Sequence, residues 1–318
     1  MSTRRLVDPQ LLPVLDQFPG ITLTPESLEA TRAFLAQLAA QRPPAKITQD
    51  VVSEELRIPG PPGAPDVRVL LYTPTETKGL RPAYLHVHGG GYVMGSADMS
   101  ADANKGLASE LACVVASVDY QLAPETRFPG AVEDCYAALK WLKSEAADLR
   151  IDPQRIAIGG ESAGGGLAAA LAILARDRRE VPIIFQLLIY PMIDDRSSRA
   201  ALSPSVGEFV WTRESNTFGW SSLLGEAAGG PDVSPYAAAA RVADVRGLPP
   251  AFIGVGSLDL FLEEDVNYAA RLLQAGITTE LHVYPGAFHG FEMAVDADVT
   301  KSAVQNARSA LRRAFAGA

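Results

Sequence analysis

The sequence predicts an α/β fold, a mostly parallel central sheet flanked by helices, and three observations carry that expectation. From residue 83 onward, strand-like and helix-like stretches alternate, which implies βαβ units covered on both faces. The stretch Gly159-Gly160-Glu161-Ser162-Ala163-Gly164-Gly165-Gly166 lies between a β-type run at 155–158 and an all-round apolar helical run at 167–175, so it reads as strand, sharp turn, buried helix. At 318 residues and 47% hydrophobic content, the chain is long enough to bury a large core.

Residues 1–45 differ in pattern from the rest of the chain. Thr24 reads as an N-cap, Pro25 as a first helical residue and Glu26 as an early acid, while Leu28, Phe34, Leu35 and Leu38 form one apolar stripe. The Arg42-Pro43-Pro44 break ends that helix, and such a prelude either packs as an edge helix or covers a site. Stretches 54–58 and 67–72, with Pro61-Pro62-Gly63 between them, predict an antiparallel pair at the sheet edge. Strands are then expected at 83–88 and 114–118, a helix carrying Trp141 at 131–146, the 155–158 strand with its helix, and a strand at 183–189. About sixty residues separate Tyr190 from the next strand, 251–255, where a crossover needs about a dozen, so an insertion is expected. Phe209, Val210, Trp211, Phe218 and Trp220 cluster within it, either gluing a helical subdomain to the core or facing a pocket. A helix at 264–274, a strand at 280–284 and a helix from about 301 complete the pattern. The expected organisation is an N-terminal segment 1–45, a core in two parts, 46–199 and 236–318, and an inserted segment 200–235.

Charge and composition narrow the function. A net charge of −9 and a pI near 5.0 repel nucleic acid and anionic lipid, so a small neutral substrate fits better, with no nucleic-acid or membrane partner. No apolar run approaches a membrane span, and the N-terminal Arg4-Arg5 lacks an apolar stretch behind it, so a cytoplasmic protein is expected. Cys113 and Cys135 are expected as buried thiols rather than a disulfide. His86 and His88 form the one His-x-His pair, with no third ligand near in sequence, so neither a metal nor a cofactor is expected.

The Gly-x-Ser-x-Gly turn points to nucleophilic catalysis. A serine on a strained strand-to-helix turn stands at a helix N-terminus, where free amides and the helix dipole favour an oxyanion. A serine hydroxyl needs a base, a carboxylate to hold that base, and oxyanion donors. His289, in the loop after strand 280–284, is the candidate base; its rival His282 alternates within the strand and reads as half-buried. Asp259, just past strand 251–255, is the candidate acid, because open α/β sheets bind ligands at the carboxyl ends of their strands. Glu263, Glu264 and Asp265 compete with it, but a helix starting there is expected to carry them outward as a solvated acidic first turn. Gly89 and Gly90, in His88-Gly89-Gly90-Gly91 at the end of a strand, let backbone amides approach a carbonyl, and with the Ala163 amide they form the candidate oxyanion hole.

With the order Ser162, Asp259, His289 in place, the chain resembles the hormone-sensitive-lipase-like esterases, or bacterial family IV carboxylesterases, of the α/β-hydrolase fold. The resemblance covers nearly all of residues 50–295. His88-Gly89-Gly90-Gly91-Tyr92 looks like the family's oxyanion loop, Gly160-Glu161-Ser162-Ala163-Gly164 like its G-D-S-A-G elbow, and Asp119-Tyr120-Gln121-Leu122-Ala123-Pro124-Glu125 like its D-Y-R-L-A-P-E block. Glu161 stands where Asp is usual, and Gln121, where Arg is usual, removes an ion-pair partner for a nearby carboxylate; altered stability or tuning is expected from both. The resemblance implies a helical cap from the N-terminal segment and the insertion, short- to medium-chain ester substrates, and homodimers as in many members. Tyr92, Phe34, Leu35, Trp211, Phe218 and Leu260 are the candidate pocket residues. Two alternatives use the same scaffold: an amide hydrolase at the same residues, and a small-molecule receptor, which the presence of His289 opposes.

Overall fold

In the computed structural model, which describes residues 2–17, 22–41, 44, 46–76, 79–200 and 203–317, eight strands form one sheet. In chain order they are β1 (Val51–Ile58), β2 (Val67–Pro74), β3 (Arg81–Val87), β4 (Val114–Asp119), β5 (Ile151–Glu161), β6 (Phe185–Ile189), β7 (Ala251–Gly256) and β8 (Thr279–Tyr284). Their spatial order is β1-β2-β4-β3-β5-β6-β7-β8. The edge pair is antiparallel in the register Val51↔Pro74 to Ile58↔Val67, β2 runs antiparallel to β4, and every pairing from β4 through β8 is parallel. Parallel strands need a helix on each crossover, so they are covered on both sides, and β3 and β7 accordingly bury every residue. The outer strand β1 buries only its two ends.

The helices are α1 (Leu12–Gln17), α2 (Pro25–Ala40), α3 (Ala101–Leu111), α4 (Gly130–Ser144), α5 (Ala163–Arg178), α6 (Arg213–Leu224), α7 (Leu262–Gln274) and α8 (Asp298–Ala316). Leu107 and Ala108 of α3 share a core with Ala307, Ala310, Leu311 and Phe315 of α8 on one face. On the other face α4, α5 and α7 pack together against the sheet. Helix α5 is buried from Ala163 through Ala175, which is why its sequence is apolar all round. Local pattern predicts no element between residues 88 and 114, whereas α3 fills that crossover; its alternating Asp, Asn, Lys and Ser hide the apolar spacing.

Thr24 caps α2 as expected, with Ser27 as its reciprocal partner in a capping box. The helix ends at Ala40, and Arg42 and Pro43 of the expected break lie outside the described residues. Between β6 and β7 the insertion folds into short helical turns around α6, capped by Thr212. Trp220 is fully buried against Tyr92, and Trp211, also buried, lies 6.2 Å from the His289 ring. Cys113 and Cys135 are buried free thiols. Among the described residues no helix is long and apolar enough to cross a membrane.

Candidate active site

Ser162 joins β5 to α5 with φ 56° and ψ −123°, a conformation most side chains avoid. Close backbone packing holds it there. A Cβ on Gly160 would lie 2.1 Å from Val87 O, and one on Gly164 would lie 2.0 Å from Val87 O and 2.4 Å from His88 O. The end of β3 therefore presses directly on the turn. The Ser162 N–H donates to Ile189 O, and its carbonyl accepts from the amides of Gly166 and Met192, each at 2.9 Å.

The loops after β7 and β8 bring the other two candidates to the same rim. His289 Nε2 lies 2.9 Å from Ser162 Oγ, and Nδ1 lies 2.9 Å from Asp259 Oδ2. Because an ionised carboxylate only accepts, Nδ1 carries the proton and Nε2 is left to accept from the serine. Asp259 is fully buried, and its other oxygen accepts the Phe261 amide at 3.0 Å. The two loops are tied by Leu258 N–H to Ala287 O and Ser257 N–H to Tyr284 O, both 2.9 Å. Around the imidazole stand Tyr190, Phe261 and Trp211, at centroid distances of 4.6, 5.2 and 6.2 Å. These rings exclude water and hold the ring plane.

The glycine loop wraps the serine. A Cβ on Gly89 would sit 3.4 Å from Ser162 Cβ; one on Gly90, at φ 127°, would lie 2.0 Å from Met94 O; and one on Gly91 would strike the Trp211 ring at 2.1 Å. Ala163 is the first residue of α5, so helix geometry gives its N–H no acceptor within the helix. His88 pins this loop by stacking on Tyr120 at 4.2 Å and bonding Gly89 O through Nδ1, while Tyr120 donates its hydroxyl to His88 O. Burial pushes the His88 imidazole down to about 4, so it is neutral at ordinary pH.

One expectation fails among the acids. Glu264 and Asp265 are buried instead of facing solvent, because the chain leaving β6 folds over the first turn of α7. Glu264 Oε1 accepts the amides of Ile193 and Asp194 at 2.8 and 3.0 Å, and burial pushes both carboxyls up. Glu263 does remain on the surface side. His282 is half-buried, stacked on Phe252 and bonded to Glu280, so it is spent in the strand.

Both departures from the family's usual residues have partners. Glu161 meets His86 Nε2 at 3.1 Å; burial pushes its carboxyl up, but the charge and hydrogen bond of His86 outweigh that and lower it. Gln121 donates its amide and side chain to Asp134, whose carboxyl burial pushes up. The two Gln121 bonds oppose that rise without cancelling it.

Of the pocket candidates, Tyr92 and Leu260 are only 1% and 2% exposed, and the Tyr92 hydroxyl donates to Met192 O, so both are committed to packing beneath the rim. Trp211 lies over Gly91, Leu35 and Phe218 are half-buried, and Phe34 is 44% exposed. Sequence reasoning missed Arg32. From α2 it donates to Val93 O, Ala123 O and both oxygens of Glu125, tying the N-terminal helix to the glycine loop. An arginine on an amphipathic helix gives no hint of such a partner. Tyr190 and Glu292 near the base were missed because their pairing joins positions 102 apart in the chain.

A family model described as an alpha/beta hydrolase fold matches residues 84–293. Carboxylesterase NlhH of Mycobacterium tuberculosis is 34% identical over 315 residues, covering 97% of this chain and 96% of the relative. Esterase LipI of the same organism is 34% identical over 289 residues, covering 90% and 88%. Among solved structures, a bacterial heroin esterase is 40% identical, with a TM-score of 0.91 and 99% of each chain covered.

Proposed function

This chain belongs to the hormone-sensitive-lipase-like, or family IV, branch of the alpha/beta hydrolases and is a carboxylic ester hydrolase, and from that premise we propose a serine mechanism on small neutral esters. In this reading His289 takes the Ser162 proton as the hydroxyl attacks the ester carbonyl, and Asp259 stabilises the imidazolium. The tetrahedral oxyanion lies against the amides of Gly89, Gly90 and Ala163. The proton passes from His289 to the leaving alcohol, an acyl-enzyme remains on Ser162, and water activated by the same base releases the acid. The single observation that carries the reading is the unbroken 2.9 Å relay from Ser162 through His289 to Asp259, ending on a serine in strained backbone.

Residues 1–45 and 200–235 are read as a cap, with Trp211, Leu35, Phe218 and Phe34 above the rim bounding the acyl or alcohol pocket and Tyr92 and Leu260 supporting it. A neutral substrate suits the net charge of −9, and a covered rim suits short to medium acyl chains. A homodimer and an intracellular site of action complete the reading. The test is Ser162→Ala on p-nitrophenyl butyrate: kcat falls by at least about three orders of magnitude, and covalent labelling by a fluorophosphonate is lost. Near wild-type turnover in that variant overturns the reading. An acyl series from two to sixteen carbons tests the range, since an optimum at long chains would make the protein a lipase.

A further inference from the structure

The serine mechanism uses one carboxylate, yet a second lies just beyond the imidazole. Tyr190 follows β6 with φ 34°, a strained angle for a bulky residue. Its ring lies against His289 at 4.6 Å and 59°, and its hydroxyl donates to Glu292 Oε1 from 102 positions away in the chain. The other oxygen of Glu292, Oε2, is buried and has no hydrogen-bond partner among the described residues. A buried carboxylate oxygen left unpaired is costly, and strained backbone persists where its surroundings impose it. Both features meet on the side chain that touches the base.

We propose that Tyr190 and Glu292 are positioning residues for His289: the tyrosine ring backs the imidazole, and the Glu292 carboxylate, held by the tyrosine hydroxyl, supplies a second negative charge favouring the imidazolium. The inference rests on the serine-hydrolase reading above. Other charges face this pair. Asp259 and Glu161 act on it from the rim, and each adds negative charge there. Across a cavity of about 710 Å³ between α3 and α8, which Glu292 also lines, stand Lys46, Asp102, Glu110, Lys301, Arg308 and Arg312. Arg308 and Arg312 are drawn to Glu110, at 2.6 and 2.5 Å. Burial pushes the Glu292 carboxyl up, and the Tyr190 hydroxyl opposes that by bonding the charged form.

Replacing Glu292 by its neutral amide removes a charge that favours protonated base, so the base releases its proton at lower pH. Tyr190→Phe acts in the same direction, because the carboxylate loses the donor that keeps it ionised. A unit charge lost near a partly buried imidazole moves its titration by about one unit. The experiment is the pH profile of kcat/KM for wild type, Glu292→Gln, Tyr190→Phe and the double variant. The acid limb is expected to move down by about half a unit to one unit in each single variant. On that limb, kcat/KM relative to its plateau then rises about three- to tenfold. In the double variant the shift is expected to equal the larger single shift, because both substitutions cut one path. If either single variant fails to fold, the other reads the same limb. An unmoved or upward-moving acid limb, even with reduced kcat, means the pair is only packing and overturns the inference. Wild-type turnover insensitive to Ser162→Ala would instead sink the mechanism it rests on, so the two failures are distinct.

Discussion

The rim that carries Ser162 and the N-terminal and inserted segments are held by different forces. At the rim, main chain touches main chain: Val87 O sits where a Cβ of Gly160 or Gly164 would be, and Ala287 O lies 2.3 Å from the Cβ position of Gly256. These contacts leave nothing adjustable. Over the rim, side chains make the ties. Arg32 fastens α2 to the glycine loop, Ser215 of α6 accepts the Leu23 amide, and Ser2 and Thr3 donate to Glu208 in the insertion. Polar side-chain ties of this kind are each worth about 1 kcal/mol, whereas a blocked backbone approach can cost a protein its fold.

Substitutions on either side of this divide should differ sharply in effect. Gly164→Ala forces a Cβ to within 2.0 Å of a carbonyl oxygen, and loss of all measurable esterase activity with a thermal midpoint at least about 10 °C lower is expected. Gly63→Ala in the edge hairpin meets nothing within 4 Å and carries only its positive φ, so about 1 kcal/mol in urea unfolding is expected with activity intact. Equal damage from both would show that the rim is not specially constrained.

Arg32→Ala tests the cover. KM for butyl and longer acyl esters is expected to rise about two- to tenfold while kcat for the acetyl ester changes less than about threefold. Stability should fall by about 1 kcal/mol or less, since Glu125 is largely exposed and solvent screens the pair. Arg32 holds the Glu125 carboxyl down at about 2. A carboxyl lowered in the folded state contributes stability above its ordinary range and loses it as pH falls toward 2. The gap between variant and wild type should therefore be constant from pH 6 to 9 and narrow in acid to the part made by the Val93 and Ala123 carbonyls; a kcat loss shared by all esters would place Arg32 in the chemistry instead.

Gln121→Arg is expected to act in the opposite direction, as a gain. Asp134, raised by burial, costs stability as pH climbs through its folded value, and an arginine opposite it reverses that. A gain of about 1 kcal/mol at pH 7 that vanishes near pH 3 is expected in urea titrations. A loss at pH 7 would mean the site cannot hold a guanidinium.

Much of this molecule is legible from local pattern. The apolar runs at β3, β4, β6 and β7 read as buried strands because parallel strands are covered on both faces, and the glycines around Ser162 read as a forced turn because a Cβ at Gly160 or Gly164 would strike the end of β3. Ser162, Asp259 and His289 each lie at the carboxyl end of a strand, which is where topology gathers them. Helix α3 escapes because its polar residues blur the period, and Glu264 and Asp265 are misplaced because burial of a helix start depends on what the insertion does above it.

The chain alone therefore determined the order of the strands, the nucleophile turn and the residue types of the relay, since backbone sterics and periodicity act between neighbours in sequence. Tertiary structure alone decided that Arg32 grips Val93, that Trp211 fills the space over Gly91, and that Tyr190 and Glu292 stand by the base. Those contacts join residues 61 to 120 positions apart, and such pairings follow from how layers stack rather than from any spacing along the chain.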